Sequence, residues 1–216
     1  MLFRSDVTVE LQVNLVTETA TAVGDLRFGV STYIDSLGAG TVGASPFPGS
    51  APISGDALFS PTYYPTSQAA NAGTLQFMVL AHEVGHGLGL KHPHDSGVSG
   101  VNTTLLPTSL DFNSYTIMSY HAQAGTTATP DRYPTTPMLL DVAAIQYLYG
   151  ANNSFHSGTD TYAFTTTGKY WQTIWDGGGN DTITVTGSGP SKIDLTPGSF
   201  SQIGLDRKST RLNSSH

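Results

Sequence analysis

Three histidines and one glutamate carry the densest chemistry in this chain: His82, Glu83, His86 and His92, within His82-Glu83-Val84-Gly85-His86-Gly87-Leu88-Gly89-Leu90-Lys91-His92. His82 and His86 are four residues apart, so on a helix both imidazoles project from one face and can share a metal ion. Glu83 is displaced by about 100° around the axis at 3.6 residues per turn. It therefore flanks the metal and is placed to take a proton from metal-activated water. A third histidine on the same helix would sit too far away. Gly89 allows a sharp turn at positive φ that returns His92 to the other two. Three neutral imidazoles leave a fourth coordination position open, the layout of catalytic zinc. Cysteine is absent, which excludes disulfides, thiolate zinc sites and a Cys nucleophile.

The elements that must position these residues can be read from periodicity. A helix is expected after Asn71-Ala72-Gly73, with Thr74 as N-cap. Leu75, Met78, Val79, His82 and His86 lie on one face, and Gly87 and Gly89 end it. A second helix is expected over Met138–Tyr149, opening after Pro137 and closing at Gly150. Val7–Leu15 alternates apolar and polar residues as a half-buried strand does, and Asp25–Gly29 reads as a second short strand. Residues 38–66 read as loop broken by extended pieces near Thr41–Ala44 and Asp56–Phe59. Beyond Gly150-Ala151-Asn152 the helix signal stops, and Thr, Ile, Tyr and Phe alternate with Gly-rich turns.

Composition narrows the class. The 216 residues are 38% hydrophobic and 10% aromatic, unlike classical disorder, and no apolar run is long enough to cross a membrane. A net charge of −7 argues against a basic face for nucleic acid. Met1–Asp6 lacks the basic and apolar regions of a Sec-type signal peptide. His94, His121 and His156 have no partner spacing and read as surface or turn residues.

The extended His pattern followed by a Met-turn is the metzincin signature. Within that group the chain resembles the serralysins, bacterial metalloendopeptidases with a calcium-binding C-terminal domain. Three features carry the resemblance: Pro93 directly after His92, the segment Thr116-Ile117-Met118-Ser119-Tyr120, and Asp141–Asn152, similar to the helix that joins the two serralysin domains. The resemblance spans roughly residues 7 to 205.

It implies an α+β fold: a metzincin-like catalytic domain over 1–150 with a twisted sheet, active-site helix, Met-turn and C-terminal helix, then the start of an all-β, β-roll-type domain over 151–205. It implies zinc on His82, His86 and His92, and Glu83 as general base. Met118 would form the floor under the ligands. Tyr120 would be a displaceable fifth ligand that turns to hydrogen-bond the oxyanion. Thr41, Val42, Gly43 and Ala44 would pair with an extended substrate, although a plain edge strand would read the same.

Asp176-Gly177-Gly178-Gly179-Asn180-Asp181 fits the calcium nonapeptide except at its first position. Asp176, Gly178, Gly179 and Asp181 would bind calcium with His156, Gly158 and Asp160 of an upstream loop. His156 stands where the family has Arg, which suits a carbonyl ligand.

The implied protein is a secreted, extracellular bacterial enzyme exported without a signal peptide. It would be monomeric and act on polypeptides by metal-activated water. Against the family pattern, a propeptide, a leading helix, further calcium repeats and a secretion signal are missing. The basic, polar residues 206–216 read as adaptor or vector sequence. Two other readings stand beside this one: a calcium-dependent adhesion module with a vestigial protease site, and a metzincin of another branch. The intact His82, Glu83, His86, His92 and Tyr120 argue against the first, and Pro93 with Asp141–Asn152 against the second.

Overall fold

The computed structural model describes residues 17, 19, 24–64, 69–96, 103–122, 132–168 and 171–204, and the backbone of 211–215. The strand expected over Val7–Leu15 lies outside these residues.

Three short strands form the first sheet: β1 (Phe28–Val30), β2 (Gly43–Ala44) and β3 (Ala57–Phe59). β3 is central, parallel to β1 and antiparallel to β2, which leaves β2 at an edge among the described strands. β1 begins later than the expected Asp25–Gly29, although Arg27 O still accepts from Ala57 N–H, and the Arg27 side chain pairs with the buried Asp56 carboxylate and donates to Pro52 O. The five-residue helix α1 (Thr32–Ser36) has no counterpart among the expected elements. Ser31 caps it by accepting from Tyr33 N–H, a local bond that a period-based reading does not detect.

Helix α2 (Leu75–Gly87) begins where Thr74 predicts, and Thr74 Oγ1 accepts from Phe77 N–H. Its N-terminal turns are partly exposed, while Ala81 through Gly87 are buried. Helix α3 (Leu139–Tyr149) opens one residue later than expected, with Met138 as its cap. The Asp141 carboxylate reaches back to the Met138 N–H at 2.7 Å, satisfying a donor that the first helical turn leaves free. The Tyr149 hydroxyl donates to Leu88 O and ties the end of α3 to the end of α2.

Ala81, Leu90, Ile117, Met118, Met138, Ile145 and Trp171 make one buried cluster beneath the two helices. Trp171 comes from β5 (Trp171–Trp175), so the β-rich segment contributes to the helical core.

The strands after residue 150 alternate between two sheets. β4 (Thr161–Thr165) pairs in parallel with β6 (Thr182–Thr186), while β5 joins β7 (Phe200–Gln202) through β8 (Arg211–Ser215). Phe164, Ile174 and Ile203 pack between the sheets with Tyr162, Ile183 and Val185 against them.

Candidate metal centre

The turn after α2 uses Gly89 at φ +98°, a region that L side chains rarely enter, and it brings His92 back over the helix. His92 Nε2 then lies 3.1 Å from His82 Nε2 and 3.0 Å from His86 Nε2. Three nitrogens about 2.0–2.1 Å from one tetrahedral ion would be separated by about 3.3–3.4 Å, so these spacings are close to a ligand cage.

The opposite ring nitrogens fix the tautomers. His82 Nδ1 donates to Ile117 O at 2.8 Å, His86 Nδ1 to Leu90 O at 2.7 Å, and His92 Nδ1 to Asp95 Oδ2 at 2.6 Å. Each neutral ring carries its proton on the nitrogen facing an oxygen, and all three Nε2 lone pairs point at one another. Such lone pairs repel unless a cation lies between them, so the residues present fit a bound metal ion. Burial, reinforced by the other imidazoles, pushes His82 down to about 3 and His86 to about 4, and burial lowers His92 too. The rings therefore stay neutral and competent to ligate.

Glu83 stands beside this triad and is 5% exposed. Its Oε2 is buried with no hydrogen-bond partner among the described residues. Its other oxygen faces β2 so closely that a Cβ placed on Gly43 would lie 2.8 Å from Oε1. Burial raises the carboxyl to about 8, and a cation beside it would favour the charged form instead. The edge strand thus runs directly past the carboxylate. Of the segment expected to meet substrate, Gly43 and Ala44 are strand residues. Thr41 and Val42 precede them in irregular backbone, with Val42 O accepting from Ser60 N–H.

Met118 is buried below the triad, against Gly85 of α2. The Tyr120 ring lies at the mouth, its centroid 4.4 Å from that of His92 and 5.6 Å from that of His82. The turn carrying both is held from beneath by Asp141, which accepts from Thr116 Oγ1 and Ile117 N–H as well as Met138 N–H. Ile117 is the residue whose carbonyl orients His82. Asp141 and Asp95 are supports that periodicity did not single out, though Asp95, three residues after His92, had a spacing that could have flagged it.

In the β-rich segment the two loops expected to share calcium do meet. Thr182 N–H donates to Asp160 O, Asp160 N–H to Asp181 Oδ1, and Gly178 N–H to Asp176 Oδ1. A Cβ on Gly179 would overlap Gly158 O. His156 adopts φ +49° and its ring, not only its backbone, turns inward, with Nδ1 3.0 Å from Asp160 Oδ1. His156, Asp160 and Asp176 converge as potential ligands. His94 and His121, read from spacing as isolated, converge on Asp111.

A helix presenting two imidazoles, a returning third and a methionine turn beneath them define a metzincin-type metallopeptidase domain of mixed α and β structure. The family model for matrixins matches residues 8–102, and that for the metallopeptidase family M12B, reprolysin-like, matches residues 60–148. A serralysin of Proteus mirabilis is 36% identical over 168 residues, covering 70% of this chain and 34% of that protein. Metalloprotease AprA of Pseudomonas entomophila (strain L48) is 34% identical over 161 residues, 65% of this chain and 33% of its own. Serralysin B of Dickeya chrysanthemi is 33% identical over 188 residues, 78% and 38% respectively. These similarities extend over most of the chain and, with the two family models, support a serralysin-type metzincin. It spans about a third of the length of these relatives. Among the described residues, no helix is long and apolar enough to cross a membrane.

Proposed function

We propose that the chain carries the catalytic part of a zinc-dependent endopeptidase. The observation that carries this reading is the facing of three unprotonated Nε2 atoms, each ring fixed by an oxygen partner, beside a buried carboxylate with an unpaired oxygen. His82, His86 and His92 would hold zinc, which supplies Lewis-acid polarisation of a carbonyl and acidification of water when bound. Glu83 takes a proton from the attacking water and passes it to the leaving amine, as its position between the triad and β2 allows. An extended polypeptide lies along β2, where backbone pairing at Gly43 and Ala44, next to Thr41 and Val42, sets the scissile bond before Glu83. Tyr120 donates a hydrogen bond to the oxyanion from the mouth of the site. Met118 supports the imidazoles from below.

The reading extends to the rest of the chain. Residues 1–150 form the catalytic unit, and 151–205 open a calcium-binding β-roll. The parallel pairing of β4 with β6 around an intervening strand in the opposite sheet supports a roll-like coil. Asp176, Asp181 and Asp160, with His156, Gly158, Gly178 and Gly179, supply hard oxygens and tight turns for structural calcium. Substrates of this kind would be extracellular proteins met after secretion.

The test is hydrolysis of unfolded casein by the purified chain and by Glu83→Ala, with zinc and calcium and then with a chelator. Activity is expected only in the metal-loaded unsubstituted chain. A Glu83→Ala chain as active as the unsubstituted one would overturn the mechanism. A chain that neither cleaved casein nor bound zinc would overturn the reading itself.

A further inference from the structure

We propose that His94, Asp111 and His121 form a second transition-metal site, separate from the three-imidazole centre. Asp111 is 6% exposed, yet both of its recorded ion-pair partners among the described residues are imidazoles that share one oxygen. His94 Nδ1 lies 3.2 Å from Asp111 Oδ2, and His121 Nδ1 lies 3.0 Å from the same atom. The other oxygen, Oδ1, is buried with no hydrogen-bond partner among the described residues. A buried carboxylate oxygen without a partner is unfavourable, and a divalent ion drawn between the three side chains would resolve it. The three ligand atoms lie within 4.8 Å of one another, as a shared ion requires.

The framework is built rather than accidental. His121 is fixed at both backbone groups: its carbonyl accepts from Asn113 N–H at 2.9 Å, and its N–H donates to Ser119 Oγ at 3.0 Å. Asn113 also donates through Nδ2 to Ser119 O, closing the loop that carries Asp111 and His121 into one unit. His94 lies flat against His92, their centroids 5.4 Å apart and planes 2° from parallel. The second ion would therefore sit on the rim of the first centre without using its ligands. Two imidazoles and one carboxylate suit zinc, copper or nickel rather than calcium. The His121 side chain is 57% exposed, so an ion there is open to solvent and exchanges more readily than one under three buried rings.

The chain, stripped with a chelator and freed of it, is titrated with zinc chloride. Bound metal is counted by elemental analysis at a fixed free zinc concentration, and a parallel cobalt(II) titration follows visible absorption. The unsubstituted chain should bind one equivalent more than His121→Gln, and the cobalt spectrum should lose its weaker phase in that variant. If circular dichroism shows His121→Gln unfolded, His94→Gln takes its place, because it removes a ligand from a different loop. Equal zinc counts in the unsubstituted chain and a folded variant would overturn the proposal, wherever else on the chain zinc binds.

Discussion

Replacing Gly85 by Ala sets two known effects against each other at the contact between the metal-binding helix and the turn beneath it. Gly in a helix interior is about 1 kcal/mol less favourable than Ala, so propensity alone predicts stabilisation. The added Cβ, however, would lie 2.6 Å from Met118 Sδ and 3.4 Å from its Cε, where non-bonded heavy atoms settle at roughly 3.5–4.0 Å. The sulfur must retreat by about 1 Å. Met118 is 2% exposed and shares its cluster with Ala81, Leu90 and Ile117, so the displacement is made against buried neighbours. Overpacking of this kind destabilises by about 1–3 kcal/mol, which outweighs the propensity gain. The net expectation is a loss of up to about 2 kcal/mol. Pushing the turn also moves Ile117 O away from His82 Nδ1, a contact whose loss lowers metal affinity about 10–100-fold.

The assay is urea unfolding of the metal-free chain for Gly85→Ala, Met118→Ala and the pair, with zinc affinity measured by chelator competition. Met118→Ala alone should cost about 2–5 kcal/mol, and clearly less in the Gly85→Ala background, because the clash goes with the side chain. A Gly85→Ala chain stabilised by the full propensity gain, with additive effects in the pair, would refute the close approach of α2 to Met118.

Other outcomes follow from neighbouring contacts. Asp95→Ala removes the acceptor for His92 Nδ1 and should weaken zinc binding about 10–100-fold in chelator competition, with little change in the unfolding of the metal-free chain. Gly179→Ala places a side chain at φ +127° and against Gly158 O, so the calcium-dependent rise in melting temperature expected of the unsubstituted chain should vanish. Asp141 is wholly buried, and burial raises its carboxyl from 3.8 to about 6. The folded state therefore holds this proton more tightly than the unfolded state. The group's contribution is fully favourable below about 4 and is lost as pH rises through about 6, by about 3 kcal/mol at 1.36 kcal/mol per unit. Urea unfolding of the metal-free chain and of Asp141→Asn at pH 4, 5 and 6 reads this as a difference between the two. A constant difference across that range would show that burial does not control the group.

The sequence by itself determined the local half of this protein. His82, Glu83 and His86 share a helix whose start is written in Thr74 and whose end is written in Gly87 and Gly89. Capping, periodicity and glycine turns act over a few residues, so their rules are legible in a string. The extended pieces at Gly43–Ala44 and Ala57–Phe59 and the helix before Gly150 were legible for the same reason, to within a residue or two. The tertiary structure decided which distant groups support the site. Asp141 lies 24 residues from Ile117, yet it accepts that residue's N–H and so helps place the carbonyl that orients His82. Trp171 crosses from the β-rich segment to complete the core beneath the helices. His94 and His121, which spacing left isolated, meet on Asp111 because two loops are folded against each other. No periodic rule links residues so far apart. Their contacts are fixed by burial, which brings together whatever the packed elements carry and demands a partner for every polar atom removed from water.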